Sequence, residues 1–77
     1  MEELLAYLAR QLVDDPDQVR VERHEREDGE LLLELHVAPD DVGKVIGKQG
    51  RIARALRTVV KASAVRAGRR VHVEIAA

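Results

Sequence analysis

Gly47-Lys48-Gln49-Gly50 is the stretch of this chain whose residue types and spacing bear most directly on chemistry. Two glycines bracket a cation and an amide. With no Cβ at either end, such a turn lets another molecule approach main-chain N–H groups, and a phosphate suits those donors. Lys48 adds a point charge, and Gln49 a hydrogen-bond donor. Lys44, Arg51, Arg54, Arg57 and Lys61 cluster around the turn, and no acid lies between Asp41 and Glu74. Arg51 and Arg54 can fork onto phosphate oxygens, which Arg does better than Lys. The apolar neighbours Val45, Ile46 and Ile52 could floor a groove for bases.

Other chemistries fit less well. Gly43 to Lys48 brushes against a phosphate-binding P-loop, but that motif needs four residues between its glycines and Ser or Thr after its Lys. Here three residues separate Gly43 from Gly47, and Gln49 follows Lys48. His24, His36 and His72 fall on predicted strands without metal-ligand spacing and read as solvent-facing. Ser63 is the one serine, inside a predicted helix. The carboxylates crowd the first half, with no pair set in an obvious cleft. The expectation is a protein that is no enzyme, with no cofactor, no metal and no small-molecule substrate.

The totals bound the scaffold. Seventy-seven residues make one domain, 1–77, with a thin core. With no Trp or Phe and one Tyr, that core must be Leu, Val, Ile and Ala. The absence of Cys excludes disulfides and thiolate metal sites. No apolar run is long enough to span a membrane, and the start lacks signal-peptide features, so a cytoplasmic protein is expected. The net charge of −1 hides a division: residues 1–40 carry a balance of −8 and residues 41–77 one of +7. A local basic face can attract phosphate on a chain that is neutral as a whole.

The turn must be positioned by helices on both sides. Residues 2–13 carry Leu4, Leu5, Leu8 and Leu12 along one helical stripe, ended by Asp14-Asp15-Pro16-Asp17. Residues 18–27 alternate weakly as a strand, Asp28-Gly29 signals a hairpin, and Leu31, Leu33, Leu35 and Val37 alternate strictly as a half-buried strand. After Pro39, Asp40 or Asp41 can cap a short helix with Val42, Val45 and Ile46 as its apolar face. After Gly50 a helix runs to about Ala67, with Gly68 as its stop. Its expected inner face is Ile52, Ala55, Leu56, Val59, Val60 and Ser63, and its outer face Arg51, Arg54, Arg57 and Lys61. Residues 70–76 form a last strand, giving the order α-β-β-α-α-β.

Val45-Ile46-Gly47-Lys48-Gln49-Gly50-Arg51-Ile52 in this setting resembles the signature of the KH domain, whose Gly-x-x-Gly loop clamps about four nucleotides. Val13-Asp14-Asp15-Pro16-Asp17, Ala38-Pro39-Asp40-Asp41-Val42-Gly43-Lys44 and the segment Ala55 to Ala62 resemble the small stand-alone KH proteins of bacteria, the KhpA-like group. The resemblance implies an α+β fold of type II KH kind, with a three-stranded sheet and helices packed on one face. It implies RNA binding through Gly47, Lys48, Gln49 and Gly50, supported by Lys44, Ile46, Arg51, Ile52 and Arg54. It further implies single-stranded RNA as partner, a homodimer or a heteromer with a second, KhpB-like KH protein, and a role as RNA chaperone or post-transcriptional regulator affecting cell shape and wall. The lack of aromatics argues against platforms that stack bases on Phe, Tyr or Trp. Two other readings stand beside it: a dimerisation module with little nucleic-acid binding, and a helix–turn–helix reader of duplex DNA.

Overall fold

Strict alternation builds the centre of the sheet. Leu31, Leu33 and Leu35 have no exposed surface, while Leu32, Glu34 and His36 between them stay partly exposed. Each fully buried Leu contributes about 1.5–3 kcal/mol, so this strand anchors a core of only fourteen buried apolar residues among the described ones. The computed structural model describes residues 1–76. In it α1 (Glu2–Leu12), β1 (Arg20–Glu25), β2 (Leu31–His36), α2 (Val42–Ile46), α3 (Arg51–Arg66) and β3 (Val71–Ile75) follow in the order the sequence predicts. The sheet runs β1-β2-β3, with β1 antiparallel and β3 parallel to β2. The parallel step requires a crossover, and α2 and α3 supply it. The buried sides of all three helices meet the Leu31–Leu33–Leu35 side of the sheet.

Local chemistry sets the boundaries. Pro16–Gln18 forms a turn of 3-10 helix, with the Val19 N–H bonded to the Pro16 carbonyl, so β1 starts two residues later than the alternation suggests. The hairpin closes through Arg26 N–H to Glu30 O and Gly29 N–H to Arg26 O, with Gly29 at φ +86°. That is a three-residue loop with a glycine bulge rather than a two-residue turn. At the end of α3, Gly68 at φ +70° lets the Arg69 N–H reach the Ala64 carbonyl at 2.8 Å, the double-bonded glycine stop.

Two helix faces differ from expectation. α3 buries Ala53, Leu56, Val60 and Ala64, whereas Ala55 and Val59 are exposed and Ile52 and Ser63 are only partly covered. α1 buries Leu5, Ala6 and Ala9, and leaves Leu12 38 % exposed. Both helices present alanines to the sheet because a small residue allows a helix to lie close. The displaced Leu8, Leu12, Ile52, Ala55 and Val59 then line an apolar groove between α1 and α3.

Asp41 also departs from its expected part. It makes no side-chain cap to α2. Its carboxylate, 2 % exposed, instead accepts the Asp14 N–H at 3.2 Å and the Asp15 N–H at 3.0 Å. A residue beside α2 thus ties down the chain leaving α1.

Candidate nucleic-acid interface

The Gly47 N–H bonds back to the Gly43 carbonyl at 2.9 Å and ends α2. Gly47 itself sits at φ 76°, ψ 173°, a region essentially reserved for glycine. A Cβ there would lie 2.6 Å from Ile52 Cγ1, so position 47 needs glycine on two counts. Lys48–Gly50 form one tight turn, with the Gly50 N–H on the Gly47 carbonyl at 3.1 Å and the Arg51 N–H on that of Lys48. Gln49 (φ 58°) and Gly50 (φ 72°) are both left-handed. A left-handed non-glycine residue is uncommon, and such strain gathers at functional sites.

The loop leaves donors available. Among the described residues, the Lys48 and Gln49 N–H groups take no backbone acceptor. Both side chains are exposed, and Gln49 Oε1 accepts from Arg51 Nη2 at 3.1 Å. Directly behind them begins α3, whose aligned peptide dipoles favour an anion at that end.

Beyond the loop, Arg54, Arg57 and Lys61 recur at three- and four-residue spacing along α3. Arg57 marks where this row points: its Nε donates to the Val73 carbonyl of β3 at 3.1 Å. β3 pairs with β2 alone, so the row faces a free strand edge. Loop and basic row thus follow one another along α3, with the free β3 edge beside Arg57. The apolar α1–α3 groove lies on the other side of α3, for Ile52, Ala55 and Val59 alternate around the helix with the basic row.

Of the residues predicted from sequence, Gly47, Lys48, Gln49, Gly50 and Arg51 come together at the loop, with the exposed Arg54 one turn on. Ile46 is half-buried at the end of α2. Ile52 packs beneath Gly47 and turns its remaining surface to the apolar groove, not to the basic side. Lys44 is already engaged: its Nζ lies 2.7 Å from Asp14 Oδ2 and 3.2 Å from Asp41 Oδ1. The hydrogen bond to Asp14, then that to Asp41, raises the Lys44 pKa above its ordinary value. Arg57 was absent from the sequence-derived site. Its spacing from Arg54 points to it, but its tie to β3 has no sequence signal.

A Gly-x-x-Gly turn joining two helices, set in an α-β-β-α-α-β unit on a mixed three-stranded sheet, defines a KH domain. The fold is similar to that of part of Era from Aquifex aeolicus bound to GDP and aluminium fluoride, with a TM-score of 0.62 and 18% identity over 96% of this chain and 28% of that one. Era in complex with MgGDPNP and a fragment of 16S ribosomal RNA matches equally, at a TM-score of 0.62 and 18% identity, again over 96% of this chain and 28% of the other. The chain therefore spans under a third of those proteins, and the likeness concerns the fold alone. Residues 2–75 match the family described as KhpA/KhpB, KH domain, and the chain belongs to that family. It is 57% identical over 75 residues to the RNA-binding protein KhpA of Clostridium acetobutylicum, covering 97% of this chain and 99% of that protein. The KhpA proteins of Treponema pallidum and Bacillus subtilis are 57% and 47% identical, over 96% and 97% of this chain and 91% of each relative.

Proposed function

We propose that this protein is a non-catalytic RNA-binding protein that clamps about four nucleotides of single-stranded RNA in the groove beside Gly47–Gly50. The observation that carries this reading is the loop: two N–H groups without acceptors and an exposed Lys48, at the start of a helix whose β3 side is basic. The sugar–phosphate backbone lies against Gly47 to Gly50. Arg51 and Arg54 hold flanking phosphates, and Ile46 contributes apolar floor. Lys44 acts through its ion pairs, steadying α2, more than by touching RNA. The relatives' name as RNA-binding proteins supports the same conclusion.

A site this small binds weakly, and linking a second site raises affinity without new contacts. The exposed apolar groove between α1 and α3 supports a homodimer as the source of that second site, on the side of α3 away from the RNA. The family resemblance extends the proposal to assembly with a KhpB-like partner and to a chaperone or regulatory role on cytoplasmic transcripts. Nothing in the loop is evidently placed to read duplex base edges, which disfavours the duplex DNA reading.

Binding of short single-stranded RNA, single-stranded DNA and duplex DNA at two salt concentrations tests this. Wild type is compared with the double variant Lys48→Asp, Gln49→Asp, its fold checked by circular dichroism. Wild type binds single strands over duplex. Its affinity falls roughly ten- to twenty-fold between about 50 and 200 mM salt if it makes about three phosphate contacts. The variant stays folded and loses single-strand binding. A variant that binds RNA as well as wild type shows that the loop is not the site.

A further inference from the structure

The open face of the sheet carries a second cluster. The alternation that buries Leu31, Leu33 and Leu35 turns Glu22, His24, Glu34, His36, His72 and Glu74 to the opposite side, away from the helices. The register pairs Glu22 with Glu34 and Glu34 with Glu74, so one glutamate from each strand lies in a row across the sheet. Like charges directly opposite one another in a sheet are destabilising. A bound cation relieves such a row. All three histidines flank it. His36 Nε2 lies 2.8 Å from Glu34 Oε1 and 3.2 Å from Glu22 Oε2, and His24 Nε2 lies 3.7 Å from Glu22 Oε1. Glu22, His24 and Glu34 each offer a ligand atom, and those atoms lie within 4.8 Å of one another.

We propose that Glu22, His24 and Glu34 bind a divalent first-row transition metal ion, with Zn2+ the best fit. The donor set decides the class of ion. Carboxylate and imidazole together suit Zn2+ and its neighbours, whereas Mg2+ takes oxygen ligands and Cu(I) takes sulfur. Two carboxylates and one imidazole leave a fourth tetrahedral position, which water fills, or His36 from its place beside the same two glutamates. Ligands about 2.05 Å from a tetrahedral ion are roughly 3.3 Å apart, so modest rotation of these partly exposed side chains closes the cluster. Arg20 Nη2, 2.9 Å from Glu22 Oε2, shares that carboxylate and swings out to solvent when the ion enters. The imidazoles separate this cluster from an ordinary acidic patch. The site staples β1, an exposed edge strand, to the buried β2. It lies on the sheet face opposite the helices and owes nothing to the RNA-binding reading. Its pattern is invisible in the sequence because Glu34 joins Glu22 and His24 only through the hairpin register.

Protein free of any polyhistidine tag, titrated with Zn2+ by calorimetry and melted with and without Zn2+ or Mg2+, tests the proposal. Wild type binds one Zn2+ per chain and melts at a higher temperature with it, while Mg2+ has no such effect. Glu34→Gln and His24→Gln each weaken Zn2+ binding by at least the roughly tenfold that loss of even an outer-shell partner costs. His72→Gln, outside the three proposed ligands, binds as wild type does. All three replace partly or fully exposed side chains, and circular dichroism checks their folds. The wild-type comparison of Zn2+ with Mg2+ stands even if a variant misfolds. The proposal is overturned if wild type binds no Zn2+, if Mg2+ stabilises it equally, or if Glu34→Gln and His24→Gln bind as tightly as wild type.

Discussion

Gly47 and Gly50 look equivalent in a Gly-x-x-Gly motif, yet they are under different constraints. Gly50 is left-handed with nothing within 4 Å of a built Cβ. Alanine there meets only the left-handed penalty, about 1–2 kcal/mol. Gly47 has a backbone conformation that side chains hardly adopt, and its Cβ would meet Ile52 at 2.6 Å. Gly47→Ala therefore costs about 3–4 kcal/mol, combining backbone strain with overpacking. Urea denaturation of the two single variants measures the difference; equal losses would refute the distinction. Ile52 is thereby assigned a structural part, wedged under the loop. The sequence names both glycines but cannot rank them, because the difference lies in ψ at position 47 and in the neighbour it meets.

At the scale of elements, Asp41 is the tie that holds α2, and with it the loop, to the chain leaving α1. Burial pushes its carboxyl up, but the N–H groups of Asp14 and Asp15 and the Lys44 ammonium outweigh burial, so its pKa lies below the ordinary carboxylate value. A carboxyl with a depressed folded pKa lends stability that is fully present above its unfolded pKa, about 4, and is lost as pH falls from there through the folded value. Asp41→Asn accordingly lowers the melting temperature by several degrees at pH 7, and the gap from wild type narrows below about pH 4. Melting curves across that range check it; a gap that stays constant with pH would assign the effect to shape instead of charge. Element order and hairpin position were legible in the sequence, since period-two leucines, Pro39 and the glycines mark them directly. The core faces of α1 and α3 were not. Periodicity follows the largest apolar side chains, whereas the core packed against the sheet takes in the small Ala6, Ala9 and Ala64. Asp41's tie and Arg57's bond to Val73 were equally hidden, since each joins residues distant in sequence.

Across the whole molecule, the charge division of the sequence becomes a division of surfaces. Arg69 and Arg70 are within 3.6 Å of Glu25 and Asp28 of the hairpin, and Lys44 is held by Asp14 and Asp41. Among the described residues, Arg10, Lys48, Arg51, Arg54, Arg57, Lys61 and Arg66 have no ion-pair partner, and all of these but Arg10 lie on the loop or α3. The apolar groove lies on the α1 side of that same helix. A dimer formed there would place two basic faces on one body without covering either, and would convert the proposed four-nucleotide site into a bivalent one. Val59, 44 % exposed in the groove and clear of the basic row, separates the two properties. Val59→Asp leaves the fold intact, because the side chain is outside the core, but puts a charge in the centre of the apolar strip. Light scattering then gives the mass of one chain in place of two. Affinity for an RNA long enough to reach both basic faces falls at least tenfold, while affinity for a four-nucleotide RNA stays at the wild-type value. Loss of both affinities together would place Val59 in the RNA site itself. A monomeric variant that keeps its affinity for long RNA would show that one basic face suffices and that the apolar strip serves another partner.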